Sequence, residues 1–162
     1  MVITALSSSD WNSVSCIYLE GIVTGNATLE TDAPSWEKWD ADHLPSCRFI
    51  AKEEDEVLGW AALSPVSGRC VYDGVAEDSI YIAEAARGKG VGKILLRKLI
   101  EESEANGLWT LQAGILAENL PSIKLHEQCG FRIIGVRERI GKREGNWRNV
   151  VLMERRSNAV GI

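Results

Sequence analysis

The stretch that decides the fold is EDSIYIAEAARGKGVGKILLRKLIEESEANG, from Glu77 to Gly107. Its pattern predicts a short strand, a polar loop, a glycine-rich turn and a long amphipathic helix. Glycines alternate with other residues at Gly88, Gly90 and Gly92, where the backbone must bend freely or approach a ligand closely. Because free N–H groups and the positive end of the helix dipole meet at such a turn, the stretch predicts a phosphate site.

Two common phosphate-binding loops do not fit this turn. A Walker loop needs a glycine where Arg87 stands, and Ser or Thr where Ile94 stands. A dinucleotide-binding turn that starts at Gly88 needs its third glycine at position 93, which is Lys93. The remaining pattern is Arg-x-x-Gly-x-Gly, placed between a strand and a helix.

Length and composition predict one domain over residues 1–156, with residues 157–162 as a frayed tail, since the 162 residues are 45% hydrophobic. The net charge of −5 and the pI of about 5.1 oppose nucleic-acid binding. The four cysteines form no C-x-x-C pair, and the chain has only two histidines. We therefore expect neither a disulfide framework nor a metal site. No signal peptide or membrane-spanning segment is evident, and we expect a cytoplasmic protein without a membrane partner.

Predicted strands and helices alternate along the rest of the chain. The strands are predicted at 2–6, 49–52, 57–63, 69–75, 77–82, 109–116, 131–139 and 147–154, and the helices at about 11–22, 34–44, 91–106 and 121–129. Residues 141–146 are predicted as a basic loop. Trp36 and Trp39 either line a cavity or anchor the second helix on the sheet. This alternation predicts a mixed α/β sheet with helices on both faces.

The glycine turn and its surroundings resemble the GCN5-related N-acetyltransferases (GNAT superfamily). The segments that carry the resemblance are EDSIYI at 77–82, RGKGVG at 87–92, NLPSIKLH at 119–126 and CGF at 129–131. An early segment from Tyr18 to Glu30 and a late one from Gly145 to Val150 narrow the resemblance to the phosphinothricin and methionine sulfoximine acetyltransferases. Together these segments cover nearly the whole chain.

This resemblance implies the GNAT fold, in which a mostly antiparallel twisted sheet of about six to seven strands is flanked by about four helices. A splayed parallel pair of strands marks the acetyl-CoA site. The implied reaction transfers acetyl from acetyl-CoA, a co-substrate used without a metal, to a small amino-acid-like amine of phosphinothricin, methionine sulfoximine or methionine sulfone type. A homodimer is also implied. A protein or peptide N-acetyltransferase and a non-catalytic acyl-CoA-binding sensor are the alternatives.

The resemblance also assigns catalytic candidates. Glu77 is the candidate general base, because a protonated amine must lose a proton before it attacks a thioester; the alternative is a surface ion pair. His126 is the candidate acid for the leaving thiolate, or else a packed or surface histidine. Asn119 either contacts the coenzyme or caps its own helix.

The remaining candidates are binding residues. The implied coenzyme contacts beyond Asn119 are Ile80, Tyr81, Ile82, Arg87, Gly88, Lys89, Gly90, Val91, Gly92 and Lys93. The implied substrate contacts are Ser67, Gly68, Arg69, Glu77, Asp78 and Ser79. These substrate positions match the branch in place and not in residue type. Arg69 either pairs with a substrate carboxylate or lies on the ordinary surface.

Overall fold

A seven-stranded sheet runs through the molecule, and the computed structural model describes all of residues 1–162. The strands are β1 (Val2–Ala5), β2 (Arg48–Glu53), β3 (Glu56–Pro65), β4 (Val75–Ile82), β5 (Thr110–Leu116), β6 (Arg132–Arg143) and β7 (Asn146–Arg156). The helices are α1 (Trp11–Val23), α2 (Trp36–Asp42), α3 (Val91–Ala105) and α4 (Leu120–Gln128). The strand order is β1-β2-β3-β4-β5-β7-β6, antiparallel except for β4 and β5. The predicted fold class is confirmed.

The parallel pair of strands separates after a short ladder. β4 and β5 pair at three positions, and the last of these sets Glu77 opposite Gln112. Beyond it, β4 pairs with β3 alone and β5 with β7 alone. The two strands therefore leave a gap between residues 78–82 and 113–116, where strand edges have backbone groups free for a ligand.

The helix that follows the glycine turn forms for the reason that its pattern predicts. Its apolar stripe, Val91, Leu95, Leu96 and Leu99, is buried against β2, β3 and β4. Each fully buried leucine contributes roughly 2 kcal/mol by removal of apolar surface from water. Burial on this scale fixes the position of α3 and of the turn before it.

The side chains of β4 point alternately to the two faces of the sheet. Tyr81 packs against α1, and Ile82 packs against the first turn of α3. By the same alternation, Glu77 lies on the α1 face and Asp78 on the α3 face. Consecutive acidic residues are thereby placed on opposite sides of one strand.

Two predicted segments were wrong. Residues 69–75 do not form a strand, because Cys70–Tyr72 form a 3-10 turn and β4 begins only at Val75. Residues 141–146 are not an open loop, because they close the hairpin between β6 and β7 with a tight turn at Glu144 and Gly145. These residues form backbone pairs between β6 and β7, and the charged sequence of β6 does not indicate this pairing.

The end of the chain folds back onto the sheet. The backbone N–H of Ser157 donates to the carbonyl of Trp109 at 2.8 Å, and its hydroxyl donates to Glu104 Oε1 at 2.8 Å. Arg156 donates to the carbonyl of Val160 at 2.9 Å. These bonds hold residues that follow the predicted domain boundary.

Candidate active site

A cavity of about 740 Å³ opens where β4 and β5 diverge. Residues 77–81 of β4 and 113–116 of β5 line its two sides. Its aromatic wall consists of Tyr18, Trp39, Trp60 and Tyr81. The buried indole N–H groups of Trp39 and Trp60 have no hydrogen-bond partner within the protein.

The aromatic wall also shows whether Trp36 and Trp39 line a cavity or anchor the second helix on the sheet. Trp39 is buried, stacks with Trp36 at 5.7 Å between ring centroids, and faces Trp60 at 5.7 Å. It anchors α2 on the sheet and lines the cavity at once. Burial raises the pKa of the Tyr81 hydroxyl well above its ordinary value, so this group stays neutral.

Glu77 lies at the point where the two strands part, half-buried and in the cavity wall. Gln112 Nε2 donates a hydrogen bond to its Oε2 at 2.8 Å. No group of the protein donates to Oε1, so the carboxylate keeps one oxygen for a ligand. Gln112 is a site residue that the sequence did not indicate, because only the parallel register brings it opposite Glu77.

His126 and Asp78 form a buried pair on the other face of β4. His126 Nε2 lies 3.1 Å from Asp78 Oδ1, and Nδ1 lies 2.7 Å from the Ser122 carbonyl. Burial opposes charge on the ring, but the Asp78 carboxylate and the Ser122 carbonyl together raise the pKa of His126 above its ordinary value. His126 is thus neither a surface residue nor packed among apolar groups alone, although the Phe131 ring lies 5.0 Å away.

The glycine turn has the geometry of an anion site. Gly88 and Gly90 have φ of 75° and 84°, and a Cβ at either position would meet no atom within 4 Å. Gly90 is the N-cap of α3, so the first N–H groups of the helix lie beside this open space. Gly92 serves packing instead, because a Cβ there would lie 3.1 Å from Leu125 Cδ2 of α4.

The remaining predicted residues lie beside the glycine turn, in the cavity lining or outside it. Arg87 and Lys89 are exposed beside the turn, and Arg87 Nε donates to the Ile82 carbonyl at 3.3 Å. Residues 67–69 lie outside the cavity lining, where the Arg69 guanidinium covers the Tyr72 ring at 5.6 Å. Asn119 lines the cavity and also caps α4, since its Oδ1 accepts from the Ser122 N–H at 3.3 Å.

The cationic groups at the cavity differ in how they are neutralised. Lys38 Nζ pairs with Asp42 Oδ2 at 2.8 Å. Arg137, where the register of β6 shifts against β7, lines the cavity and has no carboxylate partner. Arg137 was not among the predicted site residues, because the sequence shows it only as one of several charges on an exposed strand.

The structure holds no cluster of metal ligands, no disulfide and no membrane-spanning helix. His, Cys, Asp and Glu side chains do not gather in groups of three or more that could hold a metal ion. All four cysteines are free thiols. No helix combines the length and the apolar character needed to cross a membrane.

Comparison with known proteins agrees with this geometry. Residues 10–131 match the family model described as the acetyltransferase (GNAT) family. The chain is 31% identical to the phosphinothricin N-acetyltransferase of Alcaligenes faecalis, over 97% of this chain and 83% of that protein.

Two solved structures are also similar. A phosphinothricin acetyltransferase from Sinorhizobium meliloti, in complex with acetyl-CoA, superposes with a TM-score of 0.89 at 30% identity, covering 99% of this chain and 90% of that one. A ribosomal-protein-alanine N-acetyltransferase from Brucella melitensis superposes with a TM-score of 0.90 at 28% identity, covering 97% and 100%.

Proposed function

The chain belongs to the acetyltransferase (GNAT) family, and we propose that this acetyl-CoA-dependent N-acetyltransferase acts on the amine of a small amino-acid-like compound. The observation that carries the proposal is the cavity of about 740 Å³ at the gap between β4 and β5, with Glu77 in its wall. Cavities of this size hold small molecules. Phosphinothricin, methionine sulfoximine and methionine sulfone are compounds of the proposed class.

Glu77 acts in this proposal as the general base. The amine loses a proton to Glu77 as its nitrogen attacks the thioester carbonyl, the C–N bond forms, and the C–S bond then breaks. The sulfur leaves with the electron pair, and His126 is the proposed acid. The hydrogen bond of 2.8 Å from Gln112 supports this role, since it fixes one carboxylate oxygen and leaves the other free.

Acetyl-CoA is held in this proposal by backbone groups more than by side chains. The open space over Gly88 and Gly90 supports binding of the diphosphate by the N–H groups of residues 88–93, with Arg87 as an added charge. The unpaired edge of Ile80–Ile82 supports contact with the thioester carbonyl and the pantetheine arm. Asn119 is proposed to contact the coenzyme from the start of α4.

Arg137 is the proposed partner of the acceptor's carboxylate. It is a cation in the cavity wall without a carboxylate of its own, whereas Lys38 is already paired with Asp42 at 2.8 Å. A guanidinium matches the planar carboxylate of an amino acid with two parallel hydrogen bonds.

The Arg137→Gln variant tests this assignment. We expect the KM for an amino acid to rise roughly tenfold, because a charge-assisted pair is lost. The KM for the corresponding amino-acid amide, which has no carboxylate, is expected to stay the same. Lys38→Gln is the matched control, and equal losses with acid and amide would contradict the role of Arg137.

Acetylation of a protein N-terminus is the second candidate, since the similar structure from Brucella melitensis is a ribosomal-protein-alanine N-acetyltransferase by name. Thiol release from acetyl-CoA, measured with free amino acids, sulfoximine analogues and peptides that begin with alanine, separates the two. We expect turnover with free amino acids. Turnover with peptides alone would contradict the proposal, and coenzyme binding without any turnover would favour a sensor.

We also propose that the enzyme is a homodimer through the β6–β7 hairpin. Along β6, Ile133, Ile134, Val136 and Ile140 are half exposed, and Trp147 of β7 is 55% exposed. β6 is also the edge of the sheet and lacks a neighbour on its outer side. Exposed apolar groups on a long edge strand favour association with another chain.

A further inference from the structure

Both ring nitrogens of His126 face hydrogen-bond acceptors. Nδ1 lies 2.7 Å from the Ser122 carbonyl, which has no proton to give. Nε2 lies 3.1 Å from Asp78 Oδ1, and an ionised carboxylate has none either. Both acceptors are satisfied only when both ring nitrogens carry a proton, so the geometry favours a doubly protonated imidazolium beside a carboxylate.

The pair is buried, and one of its polar atoms has no partner. Both side chains are 3% exposed, and removing two charges from water is unfavourable unless every polar atom finds a partner. Asp78 Oδ2 is buried and accepts no hydrogen bond. A pair kept for stability alone would not leave a carboxylate oxygen without a donor.

The location of the pair connects it with the reaction. Asp78 and His126 both line the cavity, and Asp78 lies on the face of β4 opposite Glu77. α4, which carries His126, packs against the start of α3 and therefore next to the proposed coenzyme turn. Glu77 therefore lies where the amine is proposed to bind, and His126 lies next to the proposed coenzyme turn.

We propose that Asp78 is a positioning residue that holds His126 in its doubly protonated form for the departure of the coenzyme sulfur. The inference rests on the proposed function. As the C–S bond breaks, the sulfur takes the electron pair and then the Nε2 proton, which leaves a neutral imidazole with Nδ1–H bonded to Ser122. The Asp78 carboxylate, which faces the ring, favours reprotonation of the ring from solvent.

Asp78 is the charged group that acts on the His126 ring. Lys124 and Glu127 flank His126 on α4, and Cys129 follows the helix; burial raises the pKa of the Cys129 thiol, so it is neutral near pH 7. Lys93 and Arg97 of α3 and Arg155 of β7 act on that thiol. Asp78 therefore accounts for the protonation of His126 without a neighbouring cation. A variant that lacks the Asp78 charge tests this assignment directly.

The first test measures the pKa of both histidines by NMR in the unliganded enzyme. We expect His126 to titrate above the ordinary histidine pKa in the wild type and at a lower pH in Asp78→Asn, whose amide keeps the shape without the charge. His43 is the internal control, because burial lowers its pKa, its Nδ1 lies 2.6 Å from the Trp39 carbonyl, and Asp78 is not among the groups that act on it. An unchanged His126 titration would overturn the proposal.

The second test measures kcat against pH for both proteins. We expect the ratio of variant to wild-type kcat to be near one at low pH, where His126 is protonated in both. The ratio is expected to fall as pH rises past the lowered pKa of the variant. A loss that is the same at every pH would indicate a structural role and contradict the proposal.

Two further variants keep the test decisive. In a His126→Gln background, Asp78→Asn is expected to have no additional effect on kcat, and additive losses would contradict the coupling. If Asp78→Asn does not fold, Asp78→Ser removes the same charge and carries the same expectations. The NMR measurement needs no turnover, so it remains valid if the proposed acceptor class is wrong.

Discussion

Glu77 and Asp78 are neighbours in sequence and have different roles in this account. One step along a strand moves a side chain to the other face of the sheet. The Glu77 carboxylate is held by Gln112 at 2.8 Å, and the Asp78 carboxylate lies 3.1 Å from His126. A substitution at one position is therefore expected to disturb a different chemical step from a substitution at the other.

The residue Gly90 gives a direct test of the coenzyme turn. Gly90→Val places a β-branched side chain at φ +84°, in the space where the diphosphate is proposed to bind. We expect the Kd for acetyl-CoA, measured by calorimetry, to rise tenfold or more.

Gly90→Asn is the control for this variant, because asparagine tolerates a left-handed backbone better than other residues with a side chain. A smaller loss of affinity is expected for it, and both variants are expected to melt below the wild type, Gly90→Val more so, because a side chain at this φ is strained. If Gly90→Val binds acetyl-CoA as tightly as the wild type does, the turn is not the diphosphate site.

At the scale of elements, the β6–β7 hairpin holds the loop that lines the cavity. Arg143 donates to the carbonyls of Ile22 and Thr28 at 2.6 and 3.0 Å. Arg148 donates to the Gly25 carbonyl at 2.8 Å and pairs with Glu118 at 3.0 Å. The basic residues of the hairpin thus fasten residues 24–33, part of which forms the cavity wall.

Arg143→Met is expected to loosen this loop without touching the coenzyme turn. The variant loses two charge-assisted hydrogen bonds to carbonyls, each worth roughly 1.5–3 kcal/mol when buried and less at a half-exposed site. We expect the KM for the amine to rise several-fold while the Kd for acetyl-CoA stays unchanged. Arg139→Met, whose side chain makes no hydrogen bond, is the control in the same kinetic assay, and equal effects of both would contradict the fastening role.

Local pattern predicted the elements whose partners lie nearby in sequence. The α3 stripe from Val91 to Leu99 and the capping position of Asn119 follow from helix rules alone. The pairing of Glu77 with Gln112 and of Asp78 with His126 does not, because these contacts join residues 35 and 48 positions apart. Nothing in the periodicity of either segment fixes that register.

At the scale of the molecule, the family resemblance supplied what periodicity could not. It predicted the splayed strand pair, which no local pattern of residues 77–82 or 109–116 contains. It did not predict the Arg137 charge in the cavity wall or the hydrogen bond from Gln112 to Glu77, since both residues lie outside the motifs that carry the resemblance. The roles of these two residues follow only from the folded structure.

The mass of the particle in solution tests the proposed dimer. Sedimentation at micromolar concentration is expected to give twice the chain mass of 17.8 kDa. Trp147→Glu is expected to give the monomer, because burying a carboxylate in an apolar interface is unfavourable. Ile94→Glu, at a position 42% exposed on α3, is the control that leaves the hairpin intact. A monomeric wild type would contradict the dimer.

We propose that Glu77 takes the amine proton at the mouth of the strand gap, and the rate of acetyl transfer by Glu77→Gln tests this role most directly. Asp73→Asn, which changes an exposed carboxylate just before β4, is the matched control. We expect kcat for Glu77→Gln to fall at least tenfold, and up to the 10²–10⁴-fold typical of a general base, with the Kd for acetyl-CoA unchanged. A kcat near that of the wild type would contradict it.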